Sequence, residues 1–147
     1  VYASDFGMWN TDFGRVARHR KSIDAGNVKL IFNILPEAAK YLADRDIVEI
    51  AKSTVFNCKA DALCVSGLTA GSETNSQILK RVKDAVPDTV VLANTGCRPD
   101  TIEAQLSVAD GAVVGTTFKV DGKFENGVDE KRVREFMSIV KKFRGQE

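Results

Sequence analysis

Residues 89–100 read TVVLANTGCRPD, and this stretch decides the fold. Val90, Val91, Leu92 and Ala93 make a short apolar run, Asn94, Thr95 and Gly96 stop it, and Pro99 follows at once. β-Branched residues suit a strand, the small polar cluster suits a tight turn, and proline is accommodated in the first turn of a helix. The stretch therefore reads as strand, turn and helix start. Three other runs are built alike: VKLIFNI (28–34), ADALCVSG (60–67) and DGAVVGTTF (110–118). They are near-continuous rather than alternating, as in parallel strands buried on both faces.

Helical patterns separate the runs. Phe13, Val16, Ala17 and Arg20 share a face near 11–25, with Thr11 as candidate cap and Gly26 as stop. A short turn through PEAAKYL (36–42) precedes a helix near 45–56 marked by Ile47, Val48, Ala51 and Val55. Ile78, Leu79, Val82, Ala85 and Val86 repeat at helical spacing between Asn75 and Pro87. Ile102, Leu106 and Ala109 follow Pro99, and Val133, Phe136, Met137, Val140 and Phe143 form a last apolar stripe behind an Asp129 cap. The four strand starts lie 32, 29 and 21 residues apart. Such alternation requires a parallel α/β sheet with right-handed crossovers. Two forms satisfy it: an open doubly wound sheet, or a (β/α)8 TIM barrel, which takes about 250 residues and of which four strands are half. Residues 1–147 are expected to form a single domain.

Composition narrows the function classes. The 147 residues carry 21 basic and 20 acidic side chains, a net charge of +1, so no electrostatic footprint for nucleic acid is present. No apolar run reaches the length of a membrane helix, and Cys58, Cys64 and Cys97 lack disulfide or zinc spacing, so a cytoplasmic protein without a metal site is expected. The chain starts at Val1 and enters VYASDFGMWNTDFG, which reads as the loop after a preceding strand, so a piece of a longer protein is expected.

Ligands of parallel α/β folds sit at the carboxyl ends of the strands. These ends are Asn33, then the segment from Ser66 to Ser72, then Asn94 to Cys97, then Gly115, Thr116 and Thr117. Glycine lets backbone N–H groups approach an anion, and hydroxyls donate to it. Gly67, Thr69, Gly71, Gly96, Gly115, Thr116 and Thr117 are accordingly the candidate phosphate-binding residues. The same composition also serves tight turns. Asp5, Asn33 and Asn94 are the polar candidates for catalysis or substrate contact, while Asn10 and Asp12 share the N-terminal loop with Asp5. Cys97 lies before a helix but has no histidine nearby in sequence, and reads as a turn residue. His19, the only histidine, falls within a helix. Lys119 could neutralise a phosphate or lie on the surface. Trp9 and Met8 could cover a ligand or pack against another part of the protein. Neither GxxxxGK[ST] nor GxGxxG occurs, which excludes P-loop ATP hydrolysis and gives no dinucleotide fingerprint. No motif names a cofactor.

The ordered set ADALCVSGLTAG, VVLANTG and ADGAVVGTTFKVDG, with YASDFG and FNILPEAAKYLADRDI before it, resembles the C-terminal half of the BtpA family. The resemblance implies a phosphate-binding (β/α)8 barrel, with this chain supplying strands five to eight and the helix after strand four. The family has no established reaction. The strand-end loops in such a barrel lead to the expectation of an enzyme acting on a phosphorylated small molecule such as a sugar phosphate, by isomerase, lyase or synthase-type chemistry. The alternative is a non-enzymatic assembly or stabilisation factor with a role like that in photosystem I biogenesis. On either reading the missing N-terminal half, or another copy in a homo-oligomer, would complete the barrel.

Overall fold

The computed structural model describes residues 1–37, 39–66 and 74–146. Its main sheet consists of β3 (Ile31–Leu35), β5 (Ala62–Ser66), β6 (Val90–Asn94) and β7 (Gly111–Val113), all parallel and in that spatial order. Each strand pairs with the next parallel strand along the chain, through α2 (Ile47–Cys58), α3 (Thr74–Ala85) and α4 (Ile102–Leu106). α1 (Phe13–Ser22) precedes the sheet and α5 (Glu130–Phe143) follows it. The helices pack against the side chains of one strand face. Phe32, Ile34, Leu63, Val65, Val91 and Ala93 form one buried cluster with Ile50, Ala51, Leu79, Val82, Ile102, Phe136 and Val140 from the helices. Side chains one position along a strand point the other way, so Asn33, Cys64, Ser66, Leu92 and Asn94 lie on the opposite face. The central strand β5 is buried along its whole length.

Two aspartates placed just before strands lock neighbouring elements together. Asp110 Oδ2 accepts from Val91 N–H (2.8 Å) and Lys83 Nζ (2.7 Å). Asp61 Oδ2 accepts from Leu30 N–H (2.9 Å) and the Arg20 guanidinium (2.6 Å), which ties α1 to the sheet. The bond from Leu30 N–H and then that from Arg20 hold the Asp61 carboxyl down at about 2. Because this pKa is depressed, the stability it contributes is present above the ordinary value of 3.8 and is lost as pH falls toward about 2. Acid unfolding of Asp61→Asn, followed by circular dichroism, is expected to lack this dependence. Coincident acid profiles for the variant and the parent would rule the linkage out.

The N-terminal segment departs from the expectation of a loop. Tyr2–Ser4 (β1) and Gly7–Trp9 (β2) form an antiparallel hairpin turned at Asp5 and Phe6, and β1 pairs on its other side with β4 (Ala39–Tyr41). PEAAKYL is thus in part a strand rather than a turn. The cause is tertiary: the Tyr2 ring is buried, packs edge-on against Tyr41 at 4.5 Å, and donates its hydroxyl to Ile34 O. Three smaller corrections concern element ends. Asp12, not Thr11, caps α1, accepting from Arg15 N–H at 2.8 Å. Pro99 lies in the turn before α4, which begins at Ile102. The fourth strand stops at Val113, where its pairing with Asn94 ends, and Thr116–Phe118 forms a 3-10 turn instead. A Cβ at Gly111 would stand 3.0 Å from Leu92 Cδ2, so any larger residue there requires the Leu92 side chain to shift by a few tenths of an ångström. Asp129 caps α5 as expected, accepting from Lys131 and Arg132 N–H.

Candidate anion cavity at the strand ends

The carboxyl ends of β6 and β7 open onto a cavity of about 600 Å3. Asn94, Gly96, Gly115, Thr116 and Thr117 line it, together with Thr95, Cys97, Arg98, Glu37 and Arg132. Five of the residues singled out from the sequence are thus brought to one place. Gly67, Thr69 and Gly71 lie outside the described residues. Asp5 sits exposed at the hairpin tip and does not line the cavity. Asn33 is nearby but below the rim, joined to Asn94 through Ser66, whose Oγ accepts from Asn33 Nδ2 at 3.0 Å and Asn94 Nδ2 at 2.9 Å. Trp9 and Met8 are on β2, His19 is an exposed residue of α1, and Lys119 bridges to Val128.

Local backbone conformation shapes the rim. Thr95 takes φ +61 and Gly96 φ +66, in the region that favours glycine. The non-glycine of the pair is held there by its neighbour, as Thr95 N–H donates to Asn94 Oδ1 at 3.0 Å. A Cβ at Gly96 or Gly115 would meet no atom within 4 Å, so at Gly115, whose φ is −119, packing alone does not demand glycine. The Thr117 hydroxyl donates to Cys97 O at 2.6 Å and thereby ties the two loops to each other. What the β7 loop offers an anion is accordingly its backbone and the Thr116 hydroxyl rather than Thr117 Oγ1.

Charge on the cavity wall is unevenly neutralised. Arg98 pairs with Asp100, Nε to Oδ1 at 3.0 Å, and that guanidinium holds the Asp100 carboxyl below its usual range. Arg132, from the first turn of α5, donates Nε–H to Thr117 O at 2.8 Å but enters no ion pair among the described residues. Its cationic charge is therefore available to a ligand, while Glu37 supplies the one carboxylate on the described wall. Cys97 is buried, and burial pushes its thiol up to about 11. At neutral pH it is a protonated packing residue, not a nucleophile. Arg132 and Glu37 are not among the candidates read from the sequence, where Ser66 stands only as the start of a strand-end segment. Glu37 had a signal, since it stands two residues beyond the end of β3.

Beside this cavity lies a small one of about 20 Å3 lined by Ser66, Asn94, Thr95 and Gln105, whose buried Oε1 has no hydrogen-bond donor among the described residues. A space of that size admits a single water molecule.

The model of the BtpA family matches residues 1–142. The chain belongs to the BtpA family. Within that family it is 63% identical over 140 residues to the sgc region protein SgcQ of Escherichia coli, covering 95% of this chain and 52% of that protein. It is 30% identical over 141 residues to an uncharacterized mitochondrial protein of Caenorhabditis elegans, covering 95% and 50%. The photosystem I biogenesis protein BtpA of Synechocystis is 25% identical over 140 residues, covering 95% and 48%. The chain thus spans about half the length of these BtpA-family relatives. Among solved structures, one reported as "Native KDPGal structure" superposes with a TM-score of 0.60 at 18% identity, over 93% of this chain and 56% of that one. This likeness concerns fold. The four parallel strands and their helices are about half of a (β/α)8 barrel, and the open doubly wound sheet is set aside. Among the described residues no helix is long and apolar enough to cross a membrane.

Proposed function

We propose that this BtpA-family chain carries the phosphate-holding half of a barrel enzyme acting on a phosphorylated small molecule such as a sugar phosphate. The observation that carries the reading is Arg132, a cation without an ion-pair partner among the described residues, on the wall of the cavity rimmed by Gly96 and Gly115. Two open glycine positions leave room for a phosphate against the backbone, and an unneutralised guanidinium supplies its charge complement. Glu37 is the candidate general base on that wall, and isomerase, lyase or synthase-type chemistry would all employ such a group. Asn33 and Asn94 are proposed to contact the substrate, and the phosphate is held by Gly96, Gly115 and Thr116, with Gly67, Thr69 and Gly71 as further proposed contacts. The other barrel half, or a second copy, completes the walls, and the protein acts in the cytoplasm.

A second reading rests on one relative, whose name assigns it to photosystem I biogenesis. In that case the barrel is a scaffold for assembly. Ligand linkage separates the two: a ligand at one hundred times its Kd stabilises by about 2.7 kcal/mol. Inorganic phosphate and a panel of sugar phosphates are expected to raise the thermal midpoint of the full chain, and Arg132→Met is expected to remove most of the shift. Unmoved midpoints across the panel would end the enzyme reading and leave the scaffold.

A further inference from the structure

At the ends of β3, β5 and β6, three side chains are joined in one polarity. Asn33 Nδ2 and Asn94 Nδ2 both donate to Ser66 Oγ. The two amide oxygens face backbone donors, Asn33 Oδ1 accepting from Leu35 N–H at 3.3 Å and Asn94 Oδ1 from Thr95 N–H at 3.0 Å. These backbone bonds set the orientation of both amides, because a reversed amide would place N–H against N–H. A hydroxyl accepts twice and donates once, and an amide nitrogen donates twice. With both lone pairs of Ser66 engaged, the capacity left among the described residues is its own O–H and one N–H on each asparagine. Gln105, whose Oε1 has no hydrogen-bond partner among the described residues, lines the small cavity and bonds to none of the three. Ser66 itself is 1% exposed, so the hub of the cluster is built into the sheet.

We propose that this cluster seats a carbonyl oxygen of the small molecule whose phosphate occupies the adjoining cavity. Asn94 belongs to both places, lining the anion cavity and donating within the cluster. No ionised group takes part in the cluster, which suits a neutral carbonyl, whereas the phosphate has Arg132. A carbonyl oxygen accepts from all the remaining donors. An alcohol oxygen in the same seat brings a proton for which the cluster itself has no acceptor left, and leaving such a group unpaired is what makes polar sites selective. The inference rests on the phosphate reading for its position but not for its polarity.

Calorimetric titration of the full chain with inorganic phosphate, glycerol 3-phosphate and dihydroxyacetone phosphate tests it. The two organic probes differ only in whether the middle oxygen is a hydroxyl or a carbonyl. Dihydroxyacetone phosphate is expected to bind at least about tenfold tighter than glycerol 3-phosphate. In Asn33→Asp, which keeps the size of the side chain and its bond from Leu35 N–H but replaces the donor by an acceptor, the ratio is expected to fall to about one. The added carboxylate repels all three anionic probes, so the readout is the ratio between the two organic probes and not the affinity for inorganic phosphate. Ser66→Ala is expected to shift the ratio in the same direction. Equal binding of the two organic probes, with inorganic phosphate bound, would overturn the carbonyl seat and leave the proposed function standing. A preference that survives Asn33→Asp would also overturn it. If none of the three probes binds, both readings fall together.

Discussion

Phe136→Ala is expected to lower the unfolding free energy by about 3–5 kcal/mol, measured by urea denaturation. Phe136 is buried in the centre of the helix-facing core, and its ring meets Phe118 edge-on with centroids 5.1 Å apart. Truncation removes both the burial and the partner of that ring, and a core packed to crystal-like density collapses only partly into the space. Phe118 closes the 3-10 turn that begins at Thr116, on the rim of the anion cavity, so the loss extends to the site. Phosphate affinity in Phe136→Ala is therefore expected to fall along with stability, and Phe136→Leu to recover most of both. A destabilisation below about 1 kcal/mol would show that the terminal helix is only loosely attached.

Gly115→Asp is expected to abolish phosphate binding, by at least about a hundredfold, while leaving the fold intact. The steric part is permissive: an added Cβ at Gly115 meets nothing within 4 Å. The electrostatic part is not. Like charges about 4 Å apart repel by about 4 kcal/mol at the effective dielectric typical of a protein surface. Gly115→Ala, which adds bulk without charge, separates the two contributions and should weaken binding much less. Retention of wild-type phosphate affinity by Gly115→Asp would move the cradle elsewhere.

The large-scale order of strands and helices was legible because it depends on local signals. Near-continuous apolar runs such as VVLAN and helical stripes such as Val133, Phe136 and Val140 announce buried strands and one-sided helices without reference to the rest of the chain. Asp129 announced its cap for the same reason. What escaped depends on partners remote in sequence. β4 exists because Tyr41 meets Tyr2, and nothing in PEAAKYL reports that contact. The last strand ran too long on paper because Val114 to Phe118 keeps β-forming residues where the pairing with Asn94 has already ended. The strand-end glycines could be read as a ring of candidates, but Arg132 was hidden in a charged helical turn beside an apolar stripe. Ser66 became a hub only once register set it between two asparagines.

That register has a consequence for how readily the polar cluster forms. Ser66 and Asn94 are direct ladder partners, and Asn33 pairs with Cys64, two residues before Ser66. The sequence separations of 33 and 28 residues spanned by the two hydrogen bonds are the same chain loops that pairing β3 with β5, and β5 with β6, has already closed. Loop-closure entropy is lost once for each ring, and its size grows only with the logarithm of ring length. The cluster therefore adds no ring of its own. Its three side chains are brought within reach by the act of building the sheet, and only their few rotamers remain to be ordered.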